Sequence, residues 1–241
     1  GNEEDYKRFL KQSLRYKEYW DTEFNIIRPK LPNGQFLPNF DPKQGENFAP
    51  SPGFHEGNAY QYTLYIPHDI AGVKKLAGGD NKFVNILQNI FDNKHFDMAN
   101  EPDINYPYLF NYVKGQEWRT QRQVRQLIDT YYKNSPDGIP GNDDCGTLST
   151  WVVFSMIGLY PVCPGNMEFA ITTPVFDKVT ITLDSEYYSG KKLVINAKKK
   201  GTGDIYIDRM TRNGKTWSKY FISHQELVKG GNLDFILKEK P

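Results

Sequence analysis

The sequence predicts a mainly α-helical protein with a C-terminal β region, and two observations support this prediction. Apolar residues recur at helical spacing within residues 1–173, most clearly over residues 80–93 and 117–134. After Pro174 the pattern changes to alternation of apolar and polar residues, which is the period of a half-buried strand. We therefore expect part of an (α/α)6 toroid, with too few helices to close it, over residues 1–173. A small β-sandwich-like module is expected over residues 174–241.

The predicted helices follow one another along the first part of the chain. They cover residues 3–20, 57–79 with a stop near Pro67, 80–93, 117–134 and 147–161. In the first of them, apolar residues including Tyr6, Phe9, Leu10 and Leu14 form one stripe. The last one is apolar nearly all round, so we expect it to be buried up to Gly158 and Pro161.

The predicted strands lie in the last third of the chain. They cover residues 178–184, 192–197, 204–210 and 232–239. The stretch RNGK, Arg212–Lys215, is a typical turn of a β-hairpin.

Residues 28–54 form a long segment crowded with Pro, Gly and Asn, which excludes a regular helix or a central strand. A loop of this length inside a compact domain is usually functional or disordered. Its aromatic residues, Phe36, Phe40, Phe48 and Phe54, favour an ordered loop close to a site.

Composition excludes several classes of protein. Lys and Arg number 30 and Asp and Glu number 29, so a nucleic acid is not expected as a partner. No apolar run reaches the roughly 18 residues of a membrane helix, and no signal peptide is visible. Aromatic residues make up 15% of the chain. Such rings suit sugar faces, although composition alone favours a core role.

Three loop motifs place acids and amides beside glycine, proline or aromatic residues. They are FHEGNAYQY (Phe54–Tyr62), DMANEPDINYPYLFNY (Asp97–Tyr112) and GIPGNDDCG (Gly138–Gly146). All three fall at helix starts or between helices, where unsatisfied N–H groups favour carboxylates. Each has a structural alternative: Glu56 as a first-turn helix acid, Asn100–Pro102 as a turn, and Asp144 as a helix N-cap.

The residue types in these motifs favour a hard cation. Calcium takes six to eight oxygen ligands, and Asn100, Glu101, Asn142, Asp143 and Asp144 offer such oxygens. The four histidines are too dispersed for a zinc motif, and there is no G-x-S-x-G elbow and no phosphate loop. The two cysteines form neither a disulfide framework nor a CxxC site, and Cys145 beside Asp144 is interpreted as structural.

Four stretches of the chain resemble signature stretches of the glycoside hydrolase family 92 α-mannosidases. They are EGNAYQYTLYIPHD, NEPDINYPYLFNYVKGQEWRTQ, DGIPGNDDCG and FSMIGLYPVCPG, in family order. The resemblance implies a calcium-dependent, inverting, exo-acting α-mannosidase. In that family an N-terminal β-sandwich domain and a C-terminal (α/α)6 toroid enclose the active site.

The resemblance also implies roles for individual residues. Glu56 matches the general acid and Asp144 the general base, while Asn142 occupies the place of a second acid, so that Asp143 could share its catalytic role. The implied substrate-binding residues are Asn58, Gln61, Trp118, Gln121 and Asn142. The implied calcium ligands are Asn100, Glu101 and Asp144.

Inversion needs an acid on the leaving oxygen and a base that activates water on the opposite face of the sugar. The two carboxyl groups then lie about 6.5–9.5 Å apart. The acid must keep its proton near neutral pH, which burial beside Tyr60 and Tyr62 could arrange. A nearby calcium would keep the base ionised and could chelate the cis-diol of mannose.

The expected partners are mannose-containing glycans of the N-glycan or mannan type, and the expected location is periplasmic or extracellular in a bacterium. Complete family members are about three times as long by this resemblance, so we expect a fragment that hydrolyses poorly. Such a fragment would self-associate or contact the missing β-sandwich domain through exposed apolar helix faces. The alternative function is non-catalytic binding of mannose by a truncated mannosidase.

Overall fold

Residues 1–46 and 49–241 are described by a computed structural model of the chain. The structure divides into two units, Gly1–Asp103 and Ile104–Pro241. The sequence placed its boundary at residues 173/174 instead, where helical spacing gives way to alternation. That change of pattern is not where the packing units divide, because two long helices belong to the same unit as the C-terminal strands.

The first unit is mainly helical. Its elements are α1 (Glu3–Ser13), a 3₁₀ turn (Arg15–Tyr19), β1 (Trp20–Asp21), β2 (Ile26–Ile27), α2 (Ala59–Thr63), α3 (Ile70–Leu76) and α4 (Asp80–Asp92). Pro67 lies between α2 and α3, as the predicted stop requires. The apolar face of α4, with Phe83, Leu87 and Ile90, is fully buried.

The apolar stripe of α1 does not enter this core. None of its residues is buried, and Tyr6, Phe9 and Leu10 are all at least half exposed. The helix is held by its own N-cap, since the Asn2 side chain accepts hydrogen bonds from the backbone N–H groups of Glu4 and Asp5.

The long loop packs through its phenylalanine residues. The Arg28 guanidinium lies 5.3 Å from the ring centroid of Phe40 and 5.6 Å from that of Phe36. Phe54 packs on Tyr62 with ring centroids 5.5 Å apart. Phe48 lies outside the described residues. The prediction that this loop is ordered by its aromatic residues is confirmed for the other three.

The second unit combines helices with two sheets. It contains a 3₁₀ helix (Tyr106–Tyr112), α5 (Glu117–Tyr131), α6 (Thr147–Ile157), β3 (Leu159–Tyr160), β4 (Glu168–Ile171), β5 (Lys178–Thr182), β6 (Lys192–Lys198), β7 (Tyr206–Arg212), β8 (Lys215–Trp217), β9 (Phe221–Ser223), α7 (His224–Leu227) and β10 (Gly231–Lys238). One sheet has the order β5-β6-β10-β7-β8 and the other β3-β4-β9. In the larger sheet, β6 and β10 are parallel and the remaining pairs are antiparallel.

The predicted strands and hairpin are confirmed. Asn213 and Gly214, at φ 51° and 77°, make the turn between β7 and β8, as a two-residue hairpin loop requires. Alternate residues of β6 and β10, such as Ile195 and Phe235, enter one core. Mixed α and β content is therefore confirmed, whereas the (α/α)6 toroid stays a prediction.

The prediction that α6 is buried all round is wrong. Only Leu148, Trp151 and Ser155 are buried, and Val153 is 53% exposed. The buried face is fixed by Trp151, whose Nε1 donates to the carbonyl of Ile104 at 2.8 Å. An apolar sequence shows that a helix can be buried on every side, but not that its unit covers every side.

The search for membrane-spanning helices covered residues 1–46 and 49–241. No helix there is both long and apolar enough to cross a bilayer.

Candidate active site

Glu56 lies in a strained segment just before α2. Its φ is +52°, in the left-handed region that non-glycine residues seldom adopt. Its side chain is 63% exposed, and one carboxylate oxygen lies 3.6 Å from Nε2 of His55. Glu56 is thus not a first-turn helix acid, since α2 begins three residues later. Burial, which was expected to hold its proton, is not provided by the described residues of this unit.

The backbone of Glu56 is held by Asn100 from the second motif. The amide Nδ2 of Asn100 donates to the Glu56 carbonyl at 2.6 Å. Asn100 itself is buried, and so is Gly57, the residue that follows Glu56. A Cβ on Gly57 would lie 3.2 Å from the same amide nitrogen, so the absence of a side chain permits the close approach.

Asn58 and Gln61 form the N-terminal cap of α2. The Asn58 side chain accepts from the N–H groups of Tyr60 and Gln61, and Gln61 Oε1 accepts from the N–H of Asn58 at 3.0 Å. Both residues are buried, and this capping box fixes where the helix begins. Their predicted contact with substrate stays a prediction. Asn58 Nδ2 is buried with no hydrogen-bond partner among the described residues.

The tyrosine residues after Glu56 differ in position. Tyr62 donates its hydroxyl to the carbonyl of His55 at 2.5 Å. The pKa of Tyr62 is raised, first by burial and then by the negative charge of Glu56. Tyr60 instead stacks on His95, with centroids 4.0 Å apart and planes at 3°. Of the two expected neighbours of the acid, the structure thus places Tyr62 beside it.

The second motif forms a turn that contains a fully buried carboxyl group. Asn100–Pro102 is a turn, as its structural alternative predicted, and Glu101 is half-buried. Asp103 is completely buried and accepts from the N–H of Asp97 at 2.9 Å. Burial raises the pKa of Asp103 well above the usual range, and the negative charge of Asp97 adds to that shift.

The two aspartates of the third motif have different environments. Both carboxylate oxygens of Asp143 accept from Ser149, at 2.8 Å from its N–H and 2.6 Å from its hydroxyl. These bonds lower the pKa of Asp143. The side chain of Asp144 is exposed, and the N-cap of α6 is Gly146. The interpretation of Asp144 as the helix cap is therefore wrong, because Asp143 is the acid that bonds to the first turn.

The backbone of the third motif turns through three consecutive left-handed residues. Asp144, Cys145 and Gly146 have φ angles of 42°, 60° and 88°. The hydroxyl of Thr147 donates to the Asp144 carbonyl at 2.7 Å, and the N–H of Thr147 donates to the Asp143 carbonyl at the same distance. These bonds hold the turn, in which the Asp144 side chain is exposed to solvent.

The remaining predicted binding residues lie in the second unit. Gln121 is buried, and its Oε1 accepts from the N–H of Ile207 at 2.8 Å, which joins α5 to β7. Trp118 is partly exposed, with the guanidinium groups of Arg119 and Arg122 at 4.7 and 4.9 Å from its ring. Asn142 is exposed in the middle of the third motif.

The predicted calcium ligands belong to both units. Asn100 and Glu101 lie in the first unit and Asp144 in the second. Within residues 1–46 and 49–241, no three His, Cys, Asp or Glu side chains are grouped so as to hold a metal ion. The donors themselves fit a hard cation, because they are oxygens and because Asn100 uses its nitrogen, not its oxygen, to bind Glu56.

Sequence reasoning missed three contacts in this region. It did not identify His55 as the neighbour of Glu56, Ser149 as the partner of Asp143, or Asn100 as the donor to Glu56. Adjacency in sequence could have indicated the first contact. Nothing in the spacing indicated the third, which joins residues 44 positions apart.

The amino-acid sequence of the chain matches a known catalytic domain. Residues 1–239 match the sequence model of the glycosyl hydrolase family 92 catalytic domain. The chain belongs to this family.

Solved structures of family 92 enzymes resemble the chain throughout. The α-mannosidase BT3965 of Bacteroides thetaiotaomicron is 30% identical, with a TM-score of 0.87 over 99% of this chain and 31% of its own length. The inverting mannosidase BT2199 of the same bacterium is 27% identical, with a TM-score of 0.87 over 98% of this chain and 34% of its own. An uncharacterized secreted glycosidase of Arthroderma benhamiae is 30% identical over 183 residues, which are 76% of this chain and 23% of that protein. The chain thus spans about a third of the length of the two mannosidases and about a quarter of the length of the secreted glycosidase.

Proposed function

We propose that the protein hydrolyses terminal α-linked mannose from glycans with inversion, with Glu56 as the general acid and Asp144 as the general base. The proposal extends to α-1,2-linked mannose. It also extends to a secreted location, since a relative is described as a secreted glycosidase. Similarity to α-mannosidases of the same family supports the substrate class.

One observation carries the choice of the two acids. Among the described residues, Glu56 and Asp144 are the two acidic residues with left-handed backbone angles, and both side chains are exposed. Each such conformation costs on the order of 1–3 kcal/mol and persists where the surroundings impose it, which happens often at active sites. The surroundings are Asn100 for Glu56 and Thr147 for Asp144.

The proposed chemistry moves two protons. The Glu56 carboxyl group donates its proton to the glycosidic oxygen as the bond from that oxygen to the anomeric carbon breaks. Water attacks the anomeric carbon from the opposite face, and the Asp144 carboxylate accepts a proton from this water. The two products are β-mannose and the released sugar, whose hydroxyl group is restored.

Asp143 supports this reaction by position. Its two oxygens are both used by Ser149, so it holds the turn that presents Asp144 and is less available to the water. This role refines the prediction that Asp143 shares the catalytic work.

Calcium is part of the proposal. Asn100, Glu101 and Asp144 would hold it through oxygen atoms. When bound, it would polarise the hydroxyl groups of the mannose and favour the ionised form of the base.

Kinetics of two variants test the proposal. Glu56→Gln and Asp144→Asn should each lower kcat on an α-linked mannose disaccharide by at least about 100-fold, the contribution typical of general acid–base catalysis. NMR of the first-formed sugar should show β-mannose. Retention of configuration, or unchanged rates in both variants, would rule out the assigned roles. Sugar binding without turnover in the unaltered protein would favour a non-catalytic mannose-binding protein instead.

A further inference from the structure

We propose that a cavity in the second unit binds a phosphate group. The cavity has a volume of about 390 Å³, within the range of small-molecule sites. Its lining residues come from α5, from the segment before β5 and from the loop between β6 and β7. None of them belongs to the three motifs of the proposed hydrolase site, so this proposal is independent of the proposed function.

Arg125, on α5, contributes a half-buried positive charge that is poorly compensated. An arginine side chain offers five N–H donors, and the described residues use one of them, in a bond of 3.4 Å to the Pro174 carbonyl. Burial lowers the pKa of Arg125, and the exposed Asp129 one turn further along the helix opposes that shift only in part. A guanidinium that is partly removed from water in this way is stabilised by an anion that supplies the missing acceptors.

Lys200, in the loop between β6 and β7, adds a second charge to the lining. Its side chain is exposed and forms no ion pair among the described residues. Lys199 is already engaged, because its ammonium group donates to the Val175 carbonyl at 2.7 Å and lies 3.0 Å from the Asp177 carboxylate. The lining therefore carries two positive charges, those of Arg125 and Lys200, that have no carboxylate partner within the cavity.

The two carboxylates of the lining are both engaged by other groups. Asp177 is paired with Lys199. Asp204 Oδ2 accepts from the backbone N–H groups of Lys200 at 2.6 Å and Gly201 at 3.3 Å. These bonds close the loop 200–204, and they offset the negative charge of Asp204 so that it opposes a bound anion less than a free carboxylate would.

The walls of the cavity are held in place before any ligand binds. The Thr173 hydroxyl donates to the Ile205 carbonyl at 2.7 Å, and the Lys199 bond to Val175 makes a second link between the same two segments. The N–H of Ile207, at the start of β7, is bound by Gln121 of α5 at 2.8 Å. A ligand would therefore enter a site whose three parts are already joined, which lowers the entropic cost of binding.

The charge and the donors of the lining favour phosphate over a carboxylate. A phosphate monoester carries a charge of about −1.5 to −2 at pH 7 and three strong acceptor oxygens. Two of these oxygens match the planar fork of Arg125, and the third matches the ammonium group of Lys200 or the hydroxyl of Thr202, which also lines the cavity. A carboxylate brings a single charge and would leave one of the two cations unmatched. Inorganic phosphate and a phosphorylated sugar both have the required chemistry.

Calorimetric titration in a phosphate-free buffer tests the proposal with three probes. Inorganic phosphate and glucose 6-phosphate should bind, whereas glucose, which lacks the charge, should not. A Kd at least about fivefold lower for glucose 6-phosphate identifies a phosphorylated sugar as the ligand, and equal Kd values identify free phosphate. Absence of binding of both phosphates up to about 10 mM would overturn the proposal.

Variants of the two unmatched cations locate the binding. Arg125→Met should raise the Kd for glucose 6-phosphate at least about tenfold and Lys200→Met at least about fivefold, as expected when a charged hydrogen bond is lost. Arg125→Lys keeps the charge but loses the fork, so its Kd should lie between those of the unaltered protein and Arg125→Met. Because Lys200 is exposed, Lys200→Met decides the question even where Arg125→Met does not fold.

The matched control is Lys198→Met. Lys198 is an exposed lysine at the end of β6, two residues before Lys200 and outside the cavity lining. Its removal should change the Kd less than about twofold. An unchanged Kd in Lys200→Met, or equal losses in Lys198→Met and Lys200→Met, would show that the general charge of the surface and not this cavity attracts phosphate.

An activity measurement keeps this proposal separate from the proposed function. Lys200→Met should cleave an uncharged α-linked mannose disaccharide with the kcat of the unaltered protein, because Lys200 has no part in the proposed hydrolysis. Cleavage without phosphate binding would overturn the phosphate site and leave the hydrolase proposal standing. Phosphate binding without cleavage would do the reverse.

Discussion

The amide nitrogen of Asn100 lies 2.6 Å from the carbonyl oxygen of Glu56 and joins two motifs that are 44 residues apart. The acceptor of the bond is Glu56, whose φ of +52° is strained because the residue is not a glycine. Asn100 is buried, so the donor side of this bond is shielded from water. The orientation of the proposed acid therefore depends on a side chain from the second motif.

Replacing Asn100 by Ala should misplace Glu56. We expect kcat to fall about 100-fold, since a shift of about 1 Å in a catalytic group has that cost. The free energy of unfolding should fall by about 0.5–1.5 kcal/mol, because the Glu56 carbonyl loses its donor. Steady-state kinetics and urea unfolding measure the two effects.

The matched control for this prediction is Asn93→Ala. Asn93 also donates its amide to a backbone carbonyl, that of Asn89, but at an exposed helix end. Its removal should change neither kcat nor stability much. A rate for Asn100→Ala within twofold of the unaltered protein would contradict the positioning role.

Gly57→Ala should destabilise the same region by overpacking. The added Cβ would lie 2.6 Å from Gln61 Oε1 and 3.2 Å from Asn100 Nδ2, so it presses on both the cap of α2 and the donor to Glu56. We expect a loss of about 1–3 kcal/mol in urea unfolding. Gly165→Ala is the control, because a Cβ there meets nothing within 4 Å and should cost little. Equal stability of the two variants would refute the packing argument.

Variants of Asp143 and Asp144 should differ in whether they lower stability or only activity. Asp143→Ala removes both acceptors of Ser149 and should lower the melting temperature as well as kcat. Asp144→Ala removes an exposed side chain and should leave the melting temperature nearly unchanged while abolishing turnover. Thermal melts and single-turnover assays of the two variants give the comparison.

Ser149→Ala is an intermediate variant, since it keeps the backbone N–H that donates to Asp143 and loses only the hydroxyl. Its melting temperature should lie between those of the unaltered protein and Asp143→Ala. The opposite assignment, with Asp144 structural and Asp143 catalytic, predicts that the larger loss of stability occurs in Asp144→Ala.

Regular periodicity made the helices and strands predictable from sequence. Helix α4 and strand β10 repeat their apolar residues at the expected spacing, and both form at the expected positions. Burial was less predictable, because α6 and α1 are apolar on faces that their own units leave exposed. The sequence of a helix fixes what can be buried, whereas the neighbours that cover it are set by tertiary structure.

The identity of the proposed acids was predictable through family resemblance, but their environments were not. Asp143 and Asp144 are chemically identical neighbours, and the left-handed turn that begins at Asp144 decides which of them meets Ser149. The bond from Asn100 to Glu56 depends on how a distant loop folds back. Such contacts have no local sequence signal.

The stability of the first unit should depend on pH through Asp69, the N-cap of α3. Burial raises the pKa of Asp69, but the Tyr16 hydroxyl at 2.7 Å, the Gly72 N–H at 2.8 Å and the Lys17 charge outweigh burial and lower it overall. A carboxyl group with a lowered folded-state pKa stabilises the fold above its unfolded pKa of about 3.9, and that contribution is lost as pH falls through the folded value. Asp69→Ala should therefore cost about 1 kcal/mol at pH 7 and progressively less below pH 4. Urea unfolding of this variant from pH 7 to pH 3 measures the difference.

The control is Asp177→Ala, which removes an exposed partner of Lys199 and should show little loss of stability at any pH. A cost of Asp69→Ala that stays constant down to pH 3 would show that its charge does not stabilise the cap.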